Sequence, residues 1–136
     1  MGVQHEKSFE TEICEYLGAH GWLYEEDFIG YDQEHALIPE DVFAWVQETQ
    51  PEQWARVMPD NGSPVETALA QRLLVDRLVK ELDQPLEHGG GLLAVLRGGF
   101  RKTPAKFVMC AFKPATSMNP EAEQHYQANR LRVVRQ

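Results

Sequence analysis

Tyr126-Gln-Ala-Asn-Arg130-Leu-Arg-Val-Val-Arg135-Gln136 closes the chain. Leu131, Val133 and Val134 stand between Arg130, Arg132 and Arg135, which reads as the first part of a β-strand with an apolar and a basic side. A strand end without a neighbour exposes backbone donors and acceptors, so a domain rarely stops there. The sequence therefore reads as a fragment of a longer protein. Its main chemistry is expected in residues past Gln136.

Working back from this end, Asn119-Pro120-Glu121 opens a helix that should run to about Gln127. Phe107-Val-Met-Cys-Ala-Phe112, between Lys106 and Lys113, reads as a strand buried on both faces. Leu92-Leu-Ala-Val-Leu-Arg97 fits a short helix or a strand, with helix favoured. Gly89-Gly90-Gly91 reads as a flexible break. Ser63-Pro64-Val65-Glu66 carries the clearest local signal: Ser63 caps, Pro64 fits the first helical position, and Glu66 stands where a capping box needs it. That helix should reach about Asp83, because Pro85 cannot continue it. Leu74, Leu78 and Leu82 mark its apolar stripe, with Val75 and Val79 beside them.

Pro39 and Pro51 each suit a helix start. Val42, Phe43 and Val46 share a face behind the first, and Trp54, Val57 and Met58 follow the second. Residues 25–38 are acidic and irregular. Near the N-terminus, Ser8 suits an N-cap, with Glu10 and Glu12 at the favourable end of the helix dipole. Phe9, Ile13, Cys14 and Leu17 recur at helical spacing, and Gly21 can end the turn. Trp22, Trp45 and Trp54 fit apolar faces, so core packing is favoured over base stacking.

The 136 residues suit one domain, and 43% apolar with 10% aromatic residues argues for a folded chain rather than a disordered tail. No apolar run reaches the roughly 18 residues of a membrane helix. Nor does the N-terminus carry a hydrophobic signal core. A cytoplasmic protein without membrane contact is the expectation. Cys14 and Cys110 both sit in apolar patterns and read as buried free thiols. Charge is uneven. Residues 1–68 hold fifteen acids against Lys7 and Arg56, a net of −13, and residues 69–136 hold six acids against eleven bases, a net of +5. A nucleic acid would be repelled by the first half and attracted to the second. Ordinary solvated charge accounts for the pattern equally well.

Several chemistries lack their motifs. There is no phosphate-cradling G-x-x-x-x-G-K-[S/T] loop and no G-x-S-x-G elbow. His5, His20, His35, His88 and His125 show no metal-ligand spacing and read as scattered surface residues. The residues two places before the five lysines are His5, Leu78, Phe100, Pro104 and Ala111, so the E-x-K or D-x-K half of a metal nuclease site is absent.

Three segments, in order, resemble the R (restriction and translocation) subunits of type I restriction enzymes. One is Phe9-Glu10-Thr-Glu12-Ile-Cys-Glu-Tyr-Leu17 through Gly21-Trp22, similar to the family's opening helix and its Gly-aromatic exit. Another is Leu92-Leu-Ala-Val-Leu-Arg97-Gly-Gly-Phe100 through Lys113-Pro114-Ala115. The last is Asn119-Pro120-Glu121 through Asn129-Arg130-Leu131 to Arg135-Gln136. Each motif alone is weak; the ordered set spans nearly the whole chain.

The resemblance implies a mixed α+β fold: the helix-rich N-terminal part of a PD-(D/E)xK-type restriction endonuclease-like domain, cut off before its catalytic hairpin. Residues 1–136 would form that part, with a helical insertion at about 39–83. The full-length protein would cleave unmodified foreign DNA, use Mg²⁺ for phosphodiester hydrolysis and ATP for translocation, and work with modification and specificity subunits. Carboxylates would hold Mg²⁺, a cation that prefers oxygen ligands; the metal would activate water while a lysine orients it. The Asp and E-x-K residues are expected on the two strands after Gln136. The fragment alone is therefore expected to be inactive and to hold no cofactor.

The family's first helix can supply a carboxylate to the metal, and the matching positions are Glu10 and Glu12. Two residues apart on a helix, they cannot face the same way. Glu12 is placed slightly ahead, as catalytic and metal candidate, although first-turn charge accounts for both more simply. Candidate DNA contacts are Arg97, Arg101, Lys102 and Lys106 in one cluster and Arg130, Arg132 and Arg135 in another; pairing with the acidic half or plain solvation explains them equally well. An alternative function is a docking module, in which residues 25–85 bind a partner subunit or the motor domains of the same chain. Such a module should expose an apolar patch. An unrelated small enzyme is disfavoured, because no nucleophile, base and orienter can be named.

Overall fold

Ser63 begins the longest ordered helix as its sequence requires: its side chain accepts a hydrogen bond from the Glu66 N–H at 3.2 Å, and Pro64 occupies the first turn. The computed structural model describes residues 2–135, with side chains from residue 5 onward. The helices are α1 (Gly2–Ala19), α2 (Pro39–Thr49), α3 (Pro51–Val57), α4 (Pro64–Leu82), α5 (Leu92–Gly98) and α6 (Pro120–Gln127). A two-stranded antiparallel sheet pairs β1 (Phe100–Lys102) with β2 (Ala105–Phe107). The fold is α+β, rich in helix.

The chain divides into two compact units. One runs from Pro39 to Asn129. Here α2 buries Val42, Trp45 and Val46, and α4 buries Leu74 and Leu78. Val95, Phe100, Ala105 and Phe107 complete the core. Each large side chain removed from water contributes roughly 1.5–3 kcal/mol, so this is where the unit's stability concentrates. The α2, α3 and α6 starts, the Pro64–Leu82 helix and the helical choice for residues 92–97 match the sequence reading. Asn119 caps α6 by accepting from the Glu121 and Ala122 N–H groups. The helices within 39–83 share their unit with α5, the hairpin and α6.

Two expectations in this unit fail. Residues 108–112 are not a buried strand: β2 ends at Phe107, and Val108 and Phe112 are exposed. Side-chain amides, not a neighbouring strand, serve this backbone. Gln50 accepts from the Val108 N–H at 2.7 Å and donates to its carbonyl at 2.8 Å. Asn129 does the same for Ala111, at 3.0 and 2.7 Å. The triple glycine is also no loose linker. A 3-10 turn at Leu86–His88 leads into it, and Gly91 N–H donates to Glu81 O at 3.0 Å. Gly90 is buried, and a Cβ there would collide with the Gln84 side chain and crowd the Glu81 carbonyl. The glycine run is needed for close packing against the end of α4.

The second unit comprises residues up to Ile38 and those from Arg130. Its helix starts at Gly2, so Ser8 lies in the interior instead of capping. His5, Glu6 and Lys7 carry no helix breaker, and Lys7 O accepts from the Thr11 hydroxyl at 2.8 Å. Gly21, at φ 96°, ends the run, with Trp22 N–H returning to Leu17 O at 3.0 Å. Of the expected apolar face, Cys14 is buried and Leu17 half-buried, whereas Phe9 and Ile13 are exposed. The closing stretch forms a single parallel bridge, Leu23 to Arg132, rather than a ladder. Leu23 N–H donates to Leu131 O at 2.7 Å, and Val133 N–H donates to Leu23 O at 3.1 Å. Among the described residues, no helix is long and apolar enough to cross a membrane.

Candidate functional site

Residues that lie one turn apart on α1 meet the closing segment. A cavity of about 240 Å³ is lined by Glu10, Ile13, Cys14, Val133, Val134 and Arg135. Arg135 reaches α1 with two nitrogens: Nε stands 3.6 Å from the Glu10 carboxylate, and a terminal nitrogen donates to Lys7 O at 3.1 Å. Glu10 is therefore the acidic wall of the cavity. Glu12 is exposed and does not line it, since a two-residue step on a helix turns a side chain through about 200°. One carboxylate facing a guanidinium is not a Mg²⁺ site, because such a cation needs several oxygen donors free of a competing positive charge. The residues present do not fit the metal on their own.

The seven basic candidates separate by what holds them. Arg135 is engaged with α1, and Arg132 lies over the Phe28 ring at 4.3 Å from its centroid. Arg130 is exposed. In the Pro39–Asn129 unit, Arg97 is exposed in the last turn of α5 and Lys102 is half-buried at the end of β1. Arg101 and Lys106 face each other across the hairpin, and both are exposed.

Two groupings escaped the sequence reading. Asp32, Glu34 and His35 place their ligand atoms within 4.8 Å of one another in the acidic loop. His35 Nδ1 is 2.8 Å from Asp32 Oδ2, and this bond, from an imidazole close by, holds the Asp32 carboxyl below its ordinary range. The loop closes because Asp32 and Leu37 exchange backbone bonds and Ala36 adopts φ 53°. One nitrogen and two oxygens suit a transition metal better than Mg²⁺. The Asp-x-Glu-His order was the available signal, hidden because no helical or paired-His spacing marks it. The other grouping is the amide set of Gln50, Gln53 and Asn129, which no motif announces.

Neither thiol is placed for chemistry. Cys14 is buried, and Cys110 donates to Leu96 O at 3.2 Å, with partial burial raising its pKa. A raised pKa leaves little thiolate, the reactive form.

Comparison with protein-family models, curated proteins and solved structures finds no match to this chain.

Proposed function

We propose that the chain is the N-terminal part of the nuclease domain of a cytoplasmic type I restriction R subunit. In the full-length protein it would serve ATP-dependent cleavage of foreign DNA alongside modification and specificity subunits. The observation that carries this reading is the contact between Arg135 and Glu10. It sets a helix carboxylate beside the very segment that, by the resemblance, leads into the catalytic hairpin. The geometry favours Glu10 over Glu12 as the helix carboxylate. The PD-(D/E)xK-type fold belongs to the same proposal. Metal chemistry would arise only with the acids expected after Gln136; until then Arg135 neutralises Glu10 and holds it in place.

Plasmid cleavage with Mg²⁺ tests the proposal, comparing this chain with one extended by about 100 residues, a typical domain increment. The short chain should be inactive and the extended one active. Changing the new acid pair should abolish cleavage. Glu10→Gln should lower it roughly 10- to 100-fold, as for groups supporting a metal site, and Glu12→Gln should leave it near wild type. Cleavage by the short chain sinks the proposal. So does an inactive extended chain supplied with its motor domains and partner subunits.

A docking module is the second reading. Val65, Leu69 and Leu73 are 78, 57 and 47% exposed and recur every four residues, an uncovered apolar stripe along α4.

A further inference from the structure

The hairpin β1–β2 brings two like charges together. Arg101 and Lys106 are direct cross-strand partners. The Lys106 N–H turns away from β1 and donates to Gln53 Oε1 of α3 at 3.1 Å. The Arg101 carbonyl turns away from β2 and accepts from Arg77 Nε of α4 at 3.0 Å. Neither group joins the strands, so the pair is of the non-hydrogen-bonded kind, in which opposed side chains come closest. Two cations in that position repel, and such pairs destabilise a sheet.

The rest of the hairpin gives no relief. Phe100 and Phe107 fill the other face, with ring centroids 5.4 Å apart, and both are buried. Neither Arg101 nor Lys106 forms an ion pair among the described residues, although the chain carries a net charge of −8. Acids are plentiful in the chain, yet none of the described ones comes within ion-pair distance of either. Side chains of α3 and α4 each hold one strand at this pair, so the backbone positions of the two cations are fixed beside each other.

The geometry points to the outer face of this hairpin as a contact for the phosphate backbone of duplex DNA, with Arg101 and Lys106 each neutralising a phosphate. The choice of DNA rests on the nuclease proposal; the site itself rests on the hairpin. Contacts of this type carry no sequence preference and weaken as salt rises, because each releases a condensed counterion.

The test is fluorescence anisotropy of the whole chain with a labelled duplex, in chelator, across a salt series. Wild type should bind, with log affinity falling linearly with log salt. Arg101→Glu with Lys106→Glu should weaken binding at least about tenfold at low salt, and the neutral pair Arg101→Gln with Lys106→Gln should lower the salt slope by about 2. Arg72→Glu, exposed on α4, alters net charge as much as either single reversal and should leave affinity within about twofold. Circular dichroism confirms that each variant folds. The proposal is overturned by wild-type affinity in the hairpin variants, by an equal loss in Arg72→Glu, or by binding to an acidic peptide and not to DNA. No cleavage is read, so hairpin-dependent binding by a chain whose extended form never cuts would retire the nuclease reading alone.

Discussion

Gln50 serves both backbone polar groups of a single residue, Val108, and nothing in its neighbourhood announces that role. It stands between α2 and Pro51, and its partner Val108 is 58 residues away. Gln50→Ala would leave the Val108 N–H without its acceptor and remove one of two donors to the carbonyl, the other being Trp45 Nε1 at 2.8 Å. Val108 is exposed, so water can partly replace the amide and the loss should cost about 0.5–1.5 kcal/mol, read as a lower urea midpoint; an unchanged midpoint would show that water replaces the amide without loss. The choice between Glu10 and Glu12 was half legible for a related reason. Helix geometry says that they diverge, but only Arg135, far along the chain, shows which one faces the closing segment.

Elements were legible where local chemistry defines their ends. Ser63, Asn119, Pro39 and Pro51 each start a helix by satisfying or removing an orphan N–H, and these starts appear as read. Ser63→Ala should destabilise the chain by about 0.5–2 kcal/mol, read as a lower thermal midpoint, while Ser63→Gly should cost only a few tenths. Equal effects of the two would deny the cap. Ser8 misled because the same residue type is tolerated inside a helix when no breaker precedes it. Residues 108–112 misled because apolar composition specifies burial poorly without a partner strand, and here amide side chains fill the backbone bonds. Gly99 belongs to this scale too. It turns the chain into β1 at φ 73°, where a Cβ would strike the Phe107 carbonyl, so the tight start of the hairpin depends on glycine.

Across the molecule, burial is unequal. The Pro39–Asn129 unit owns nearly all fully covered apolar side chains, whereas the unit of α1 buries only Cys14 among the described hydrophobic residues. Amide hydrogens opposed by little buried surface open at low free energy. Exchange should therefore be faster along α1 than along α4, around Leu74 and Leu78, and equal protection would contradict this distribution. Composition announced a folded chain but could not show how the core is shared, because each half carries similar apolar patterns. The charge asymmetry was legible, yet the opposition of Arg101 to Lys106 needed the register of the hairpin.

Gln53 and Gln50, on the open side of β2, have one more effect. The free margin of a sheet is a seat for any passing extended peptide, and repeated seating grows into fibres. Here that seat is already taken by amides borne on helices, which satisfy Lys106 and Val108 but offer no onward row of donors and acceptors. On this margin a third strand finds no free row to join, and a chain crowded at synthesis is denied one route to polymerisation.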